Sequence, residues 1–150
     1  MRARAGTVTA ALLVLAGCFH PLVGPARTDR SYELKASSTA QKVDSEVNTA
    51  KLAAKAAGDG DAFAAYLSVV VGEAESGASG THNDFDAVQP PSVRAQHLRA
   101  RLDALLQDVD DALGRMRIAI RRGHVDSLPE LAKDLPRLDR RLQAFHDEHT

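Results

Sequence analysis

The chain has one cysteine, no tryptophan, and only two tyrosines and four phenylalanines among its 150 residues. One cysteine cannot close an internal disulfide, so the thiol needs another use. With so few rings, a core must come from aliphatic side chains, which favours helices packed along their length. No apolar run reaches the roughly 20 residues that a membrane-spanning helix requires. No polybasic tract is present, and nucleic acid is not an expected partner. Several chemical motifs are missing too. There is no Glu-x-x-His, His-x-x-Glu or His-Glu-x-x-His, no Cys-x-x-Cys, no glycine-rich phosphate loop and no serine nucleophile motif. The expectation is therefore a protein that is not an enzyme and carries no cofactor.

What is present begins at the N-terminus. Arg2 and Arg4 precede the uncharged run Val8 to Ala16, which is too short to span a bilayer but has the length of a signal-peptide core. Leu15-Ala16-Gly17-Cys18 follows: an aliphatic residue, two small residues, then cysteine. This lipobox resembles that of small bacterial lipoproteins, those of Gram-positive bacteria in particular. The resemblance is specific over the signal and Cys18 and generic over the rest.

It implies cleavage between Gly17 and Cys18, with residues 1–17 as the signal. The Cys18 thiol would take up the lipid, a palmitate-type acyl anchor on the extracytoplasmic face of the cell membrane. Each buried CH₂ contributes about 0.8 kcal/mol, and two or more chains hold stably where one is marginal. The competing reading is an ordinary signal peptide cut after Ala26. Pro25 beside that bond, and the lack of another use for the cysteine, weigh against it. Without the leader the chain has 17 Lys+Arg against 20 Asp+Glu, mildly acidic. Residues 18–28, with Pro21, Gly24 and Pro25, form a tether of at most about 33 Å.

Residues 29–150 predict an all-α domain. Ala36, Ala40, Val43, Val47, Ala50, Ala54 and Ala57 mark the seam of a first helix, 29–57. Phe63, Tyr66, Leu67, Val70, Val71 and Ala74 mark a second, 61–76, and are expected to supply the largest core side chains of this half. Val69-Val70-Val71 taken alone suits a strand, but the flanking periodicity favours helix. Residues 77–91, rich in Gly, Ser, Asn and Pro, suggest a long loop with Phe85 and Val88 as its apolar points.

Leu98, Leu102, Leu105, Val109, Ala112, Met116 and Ala119 give a third helix, 93–122, capped by Ser92 and closed by Arg121-Arg122-Gly123. Leu128, Leu131, Leu135, Leu138, Leu142, Phe145 and His149 give a fourth, 128–149. Ser127 and Glu130 stand at capping-box spacing there, and Pro136 should force a restart near Asp134. The expected architecture is an antiparallel four-helix bundle of two helical hairpins. The alternative is two hairpins that pair only in a homodimer.

The expected function is a non-enzymatic binding or scaffolding module of the cell envelope. It would meet a protein partner through the 77–91 loop (Phe85, Val88) or an exposed helix face. The alternative is a metal- or small-ligand-binding lipoprotein using surface histidines, with His146 and His149 as the weak candidate pair. His82-Asn83-Asp84 and Asp86 could clasp a cation, but these are ordinary turn residues without calcium-loop spacing. From Arg27 to Pro90 there are 6 Lys+Arg against 10 Asp+Glu, and from Pro91 onwards 11 against 10. Such halves attract one another when packed.

Overall fold

The computed structural model describes residues 26–150. Gly17, Cys18, the signal and most of the tether lie outside the described residues. The described chain is all-helical, with four helical stretches around one core. No helix among the described residues is long and apolar enough to cross a membrane.

Helix α1 spans Asp29–Asp59. Thr28 opens it with a capping box: its hydroxyl accepts from the Ser31 N–H at 3.1 Å, and the Ser31 hydroxyl accepts from the Thr28 N–H at 3.2 Å. Serine takes the place usually held by glutamate. The helix stops at Gly60, whose φ of 75° is the left-handed conformation that glycine tolerates without strain.

Helix α2 spans Ala64–Asp86, ten residues beyond the expected end. The loop expected over residues 77–91 is thus helical through Asp86, and only residues 87–92 connect it to the next element. The reason is tertiary. Leu67, Val71, Ala74, Ala78 and Phe85 are buried along one face, and that burial outweighs the poor intrinsic propensity of Gly77, Ser79 and Gly80. The β-branched run Val69–Val71 lies inside this helix.

Helix α3 spans Val93–Arg121, and the Ser92 hydroxyl accepts from the Ala95 N–H at 3.1 Å as an N-cap. Gly123, at φ 78°, reverses the chain beyond it. The last stretch is composite: a 3₁₀ turn Val125–Ser127, helix α4 Leu128–Leu131, a 3₁₀ turn Ala132–Asp134 and helix α5 Leu135–Glu148. The restart near Asp134 is present, with Pro136 in the first turn of α5, where its missing N–H costs nothing. The Ser127–Glu130 box does not form. The Ser127 hydroxyl instead donates to the His124 carbonyl at 2.7 Å.

Helix α1 touches every other helix. Its seam residues Ala36, Ala40, Val43, Val47, Ala50 and Ala54 are all buried, while Ala57 is partly so. Tyr32 packs on Phe85 of α2 with ring centroids 5.4 Å apart. Further along, a Cβ at Gly77 of α2 would stand 2.8 Å from the Glu46 carboxylate of α1. Burial raises the pKa of that carboxyl. Gly58 is needed for close approach, because a Cβ there would meet Pro129 of α4 at 2.9 Å. The expected seams of α3 and α5 are buried from Leu98 to Ile120 and from Leu128 to Phe145, with Leu131 partly covered.

Candidate functional site

Phe63 and Tyr66 are not core residues. Phe63 is 86% exposed, Tyr66 59% and Val69 57%. Their spacing fits an amphipathic seam, but the buried face of α2 runs through Leu67, Val71, Ala74 and Ala78. Phe63 stands just ahead of the first turn as an N-cap without a side-chain hydrogen bond. Tyr66 and Val69, three residues apart, share the outer side of the helix. Val70 is partly buried between this row and the core.

The other exposed large apolar side chains, Leu34, Leu52, Val93 and Ile118, belong to α1 and α3. Two rings and a valine exposed together at one helix start are unusual, since contiguous apolar surface on a soluble protein marks a site of contact. The row lies at the end of the bundle where α1 finishes. That is about 45 Å, the length of a 31-residue helix, from the end where α1 begins.

The residues expected to meet a partner lie elsewhere. Phe85 and Val88 are buried, Phe85 against Tyr32, and act as closure of the core below the 87–92 connection. The histidine pair does not converge either. The His146 Nδ1 stands 2.8 Å from the Ser37 hydroxyl, which is also 3.1 Å from the Thr150 hydroxyl. Ser37 is only 3% exposed, and this contact clamps α1 to the end of α5. His149 stacks on Phe145 at 4.6 Å, and its Nε2 is 3.7 Å from Glu148. It lines a different cleft, of about 230 Å³, with Asp29, Glu33, Arg94, His97 and Arg101.

His146 lines a shallow cleft of about 290 Å³ with Gln41, Asp44, Leu142, Gln143 and Asp147. Beneath it, Asp139 receives a hydrogen bond of 2.6 Å from Lys51, which lowers its pKa first and foremost. Burial, and then a hydrogen bond with Asp139, push the neighbouring Asp44 carboxyl up to about 6. One oxygen of Asp44 is buried without a partner. Asp44 thus takes up a proton at a higher pH than Asp139, whose charge Lys51 pairs. The arrangement joins α1 to α5, and nothing in it presents a nucleophile.

No family model, curated protein or solved structure matches the chain.

Two outcomes are expected. Phe63→Ser and Tyr66→Ser should each change unfolding free energy by less than about 0.5 kcal/mol, whereas Leu67→Ala, fully buried, should cost about 2–5 kcal/mol. Urea titration measures all three. Asp44 binds its proton more tightly in the folded state, at about 6 against 3.8 ordinarily. The stability this contributes is complete below pH 3.8 and is lost as pH rises through 6. Asp44→Asn, which mimics the protonated form, should flatten the melting curve's pH dependence over that window. It should also raise Tm at pH 7.5 by about 2–4 °C. Identical pH profiles for the two proteins would contradict the assignment.

Proposed function

We propose that the chain is a membrane-anchored extracytoplasmic lipoprotein, a non-enzymatic module that captures a protein partner with the exposed row Phe63, Tyr66 and Val69. The observation that carries this reading is the exposure of that row in a chain so poor in aromatics. The core buries the other described tyrosine and phenylalanines, Tyr32, Phe85 and Phe145, whereas Phe63 and Tyr66 stay outside it, and exposed aromatic side chains have the composition of an interface centre.

The anchor and the row suit one another. We read the bundle as antiparallel, up-down-up-down, from three sets of contacts. Those between α1 and α2 run from Tyr32–Phe85 to Glu46–Gly77. Those between α2 and α3 run from Glu75–Arg117 to Asp86–Arg99. Those between α3 and α5 run from Arg101–Glu148 to Asp108–Arg141. In that topology the N-terminus of α1 faces the bilayer through a tether of about 33 Å or less. The row then sits at the far end, presented to the envelope space. Acylated Cys18 of the Leu15-Ala16-Gly17-Cys18 lipobox supplies the membrane end.

Photo-crosslinking in intact cells tests both parts. A photoreactive residue at Tyr66 or Val69 should capture a discrete partner, and the same probe at exposed Lys133 should not. Phe63→Ser should reduce the Val69 yield at least tenfold. Equal yields at all positions would reject the row as the contact surface. A product composed solely of this chain would make the partner a second copy and reject a heterologous one. Cys18→Ala should move the protein from the membrane fraction to the soluble fraction, and retention at the membrane would reject the anchor.

A further inference from the structure

Helices α1, α2 and α3 bring together a group of polar side chains that no single helix displays. His82 and Asp86 come from α2, Asp103 from α3, and one ligand atom from each lies within 4.8 Å of the other two. The sequence assigns His82 and Asp86 to a turn, but the structure places them one helical turn apart on a single face of α2. The same helix carries Phe85 down onto Tyr32.

Four details bear on what this group does. The His82 Nδ1 is 2.7 Å from Asp110 Oδ2, and Asp110 Oδ1 accepts a hydrogen bond of 3.0 Å from the Ser79 hydroxyl. A carboxylate on Nδ1 holds the proton there and turns the Nε2 lone pair outward, the arrangement that orients a metal-binding histidine. Nε2 stands 3.7 Å from Asp86 Oδ2. That is too long for a hydrogen bond. It is close to the roughly 3.4 Å that separates two ligands each about 2.1 Å from a tetrahedral zinc.

Arg99 meanwhile takes the other oxygens, Asp86 Oδ1 at 3.0 Å and Asp103 Oδ2 at 3.4 Å. Asp103 Oδ1 is left buried without a hydrogen-bond partner. The Tyr32 hydroxyl is also buried and unpartnered, on a residue 0% exposed. Its pKa is pushed up to about 12, by burial first, with Arg99 opposing and Asp103 and Asp86 adding, so the phenol faces these same charges.

Buried polar atoms without partners are costly and scarce in folded proteins. Here one of them, on Asp103, belongs to the group with His82 and Asp86, and the other, on Tyr32, feels the charges of the same two aspartates. Asp86, Asp103 and Asp110 against Arg99 leave a formal excess of two negative charges around His82. We propose that His82 Nε2, Asp86 and Asp103 bind a divalent first-row transition metal, with Asp110 as the orienting carboxylate behind His82. One imidazole and two carboxylates suit Zn²⁺ or Mn²⁺, and three protein ligands leave a position open. His82 is 12% exposed at its side chain and Asp86 42%, so the ion enters from the Asp86 side.

The test uses the full chain, stripped with chelator and titrated with Zn²⁺ alone by calorimetry, with Co²⁺ absorption as a second readout. One equivalent should bind, Co²⁺ should give the spectrum of a mixed nitrogen–oxygen site, and Tm should rise with metal concentration. His82→Gln should weaken affinity at least 100-fold, and Asp110→Asn 10- to 100-fold. His149→Gln and His146→Gln should leave it unchanged. Circular dichroism checks that each variant retains its helices, and Asp103→Asn stands in if His82→Gln does not. Absence of saturable binding would overturn the site and leave His82 as a polar link from α2 to Asp110 of α3. Binding that survives both His82→Gln and Asp103→Asn, or that is lost in His149→Gln, would overturn it equally.

Discussion

The burial of one small-residue seam on α1 is the constraint from which the rest of the structure follows. Ala36, Ala40, Val43, Val47, Ala50 and Ala54 let α2, α3 and α5 close around a single axis. Each alanine removes little apolar area from water, so the seam contributes proximity more than burial energy. The energy comes from what the proximity brings together. Leu67 and Val71, the leucines of α3, and the series from Leu128 to Phe145 all meet over α1. Gly58 and Gly77 extend the same principle, admitting Pro129 and the Glu46 carboxylate where a Cβ would collide.

Polar contacts then cross between the two halves of the chain. Arg94, Arg99 and Arg117 of α3 reach Glu33, Asp86 and Glu75, acids of the first half, and Lys51 reaches Asp139. Exposed pairs of this kind contribute little stability each. They link helices of the more acidic first half to helices of the more basic second half. The charge imbalance between the two halves of the chain has this physical meaning.

The legibility of the sequence follows the same physics. The seams of α3 and of the stretch from Leu128 to Phe145 are plain because large aliphatic residues recur at threes and fours, and all but the partly covered Leu131 are buried. The seam of α1 was equally plain from its alanines. Helix α2 was not. Phe63 and Tyr66 fit a seam by hydrophobicity and spacing, yet they lie at the helix start beside the point where α1 ends, and no described element covers them.

Gly77 to Asp86 has the composition of a loop. Phe85 was nonetheless in phase with Leu67, Val71 and Ala78, and that phase was the signal to follow. Phe85 and Val88, which the sequence offers as the apolar points of a loop, are buried for that reason. The histidines His146 and His149, three apart on α5, were visible as a pair but face different neighbours. The convergence of His82, Asp86 and Asp103 depends on how α2 and α3 pack, which no local spacing encodes.

If α1 is the axis, its middle should open last. Native-state hydrogen exchange, read residue by residue at low denaturant, measures this directly. Amides from Val43 to Ala54 should exchange only through global unfolding, with a denaturant dependence equal to that of the whole chain, while the first turns of α2 and the α4–α5 junction exchange through smaller openings. Exchange of the α1 amides through a local opening, with α3 and α5 still protected, would contradict the account.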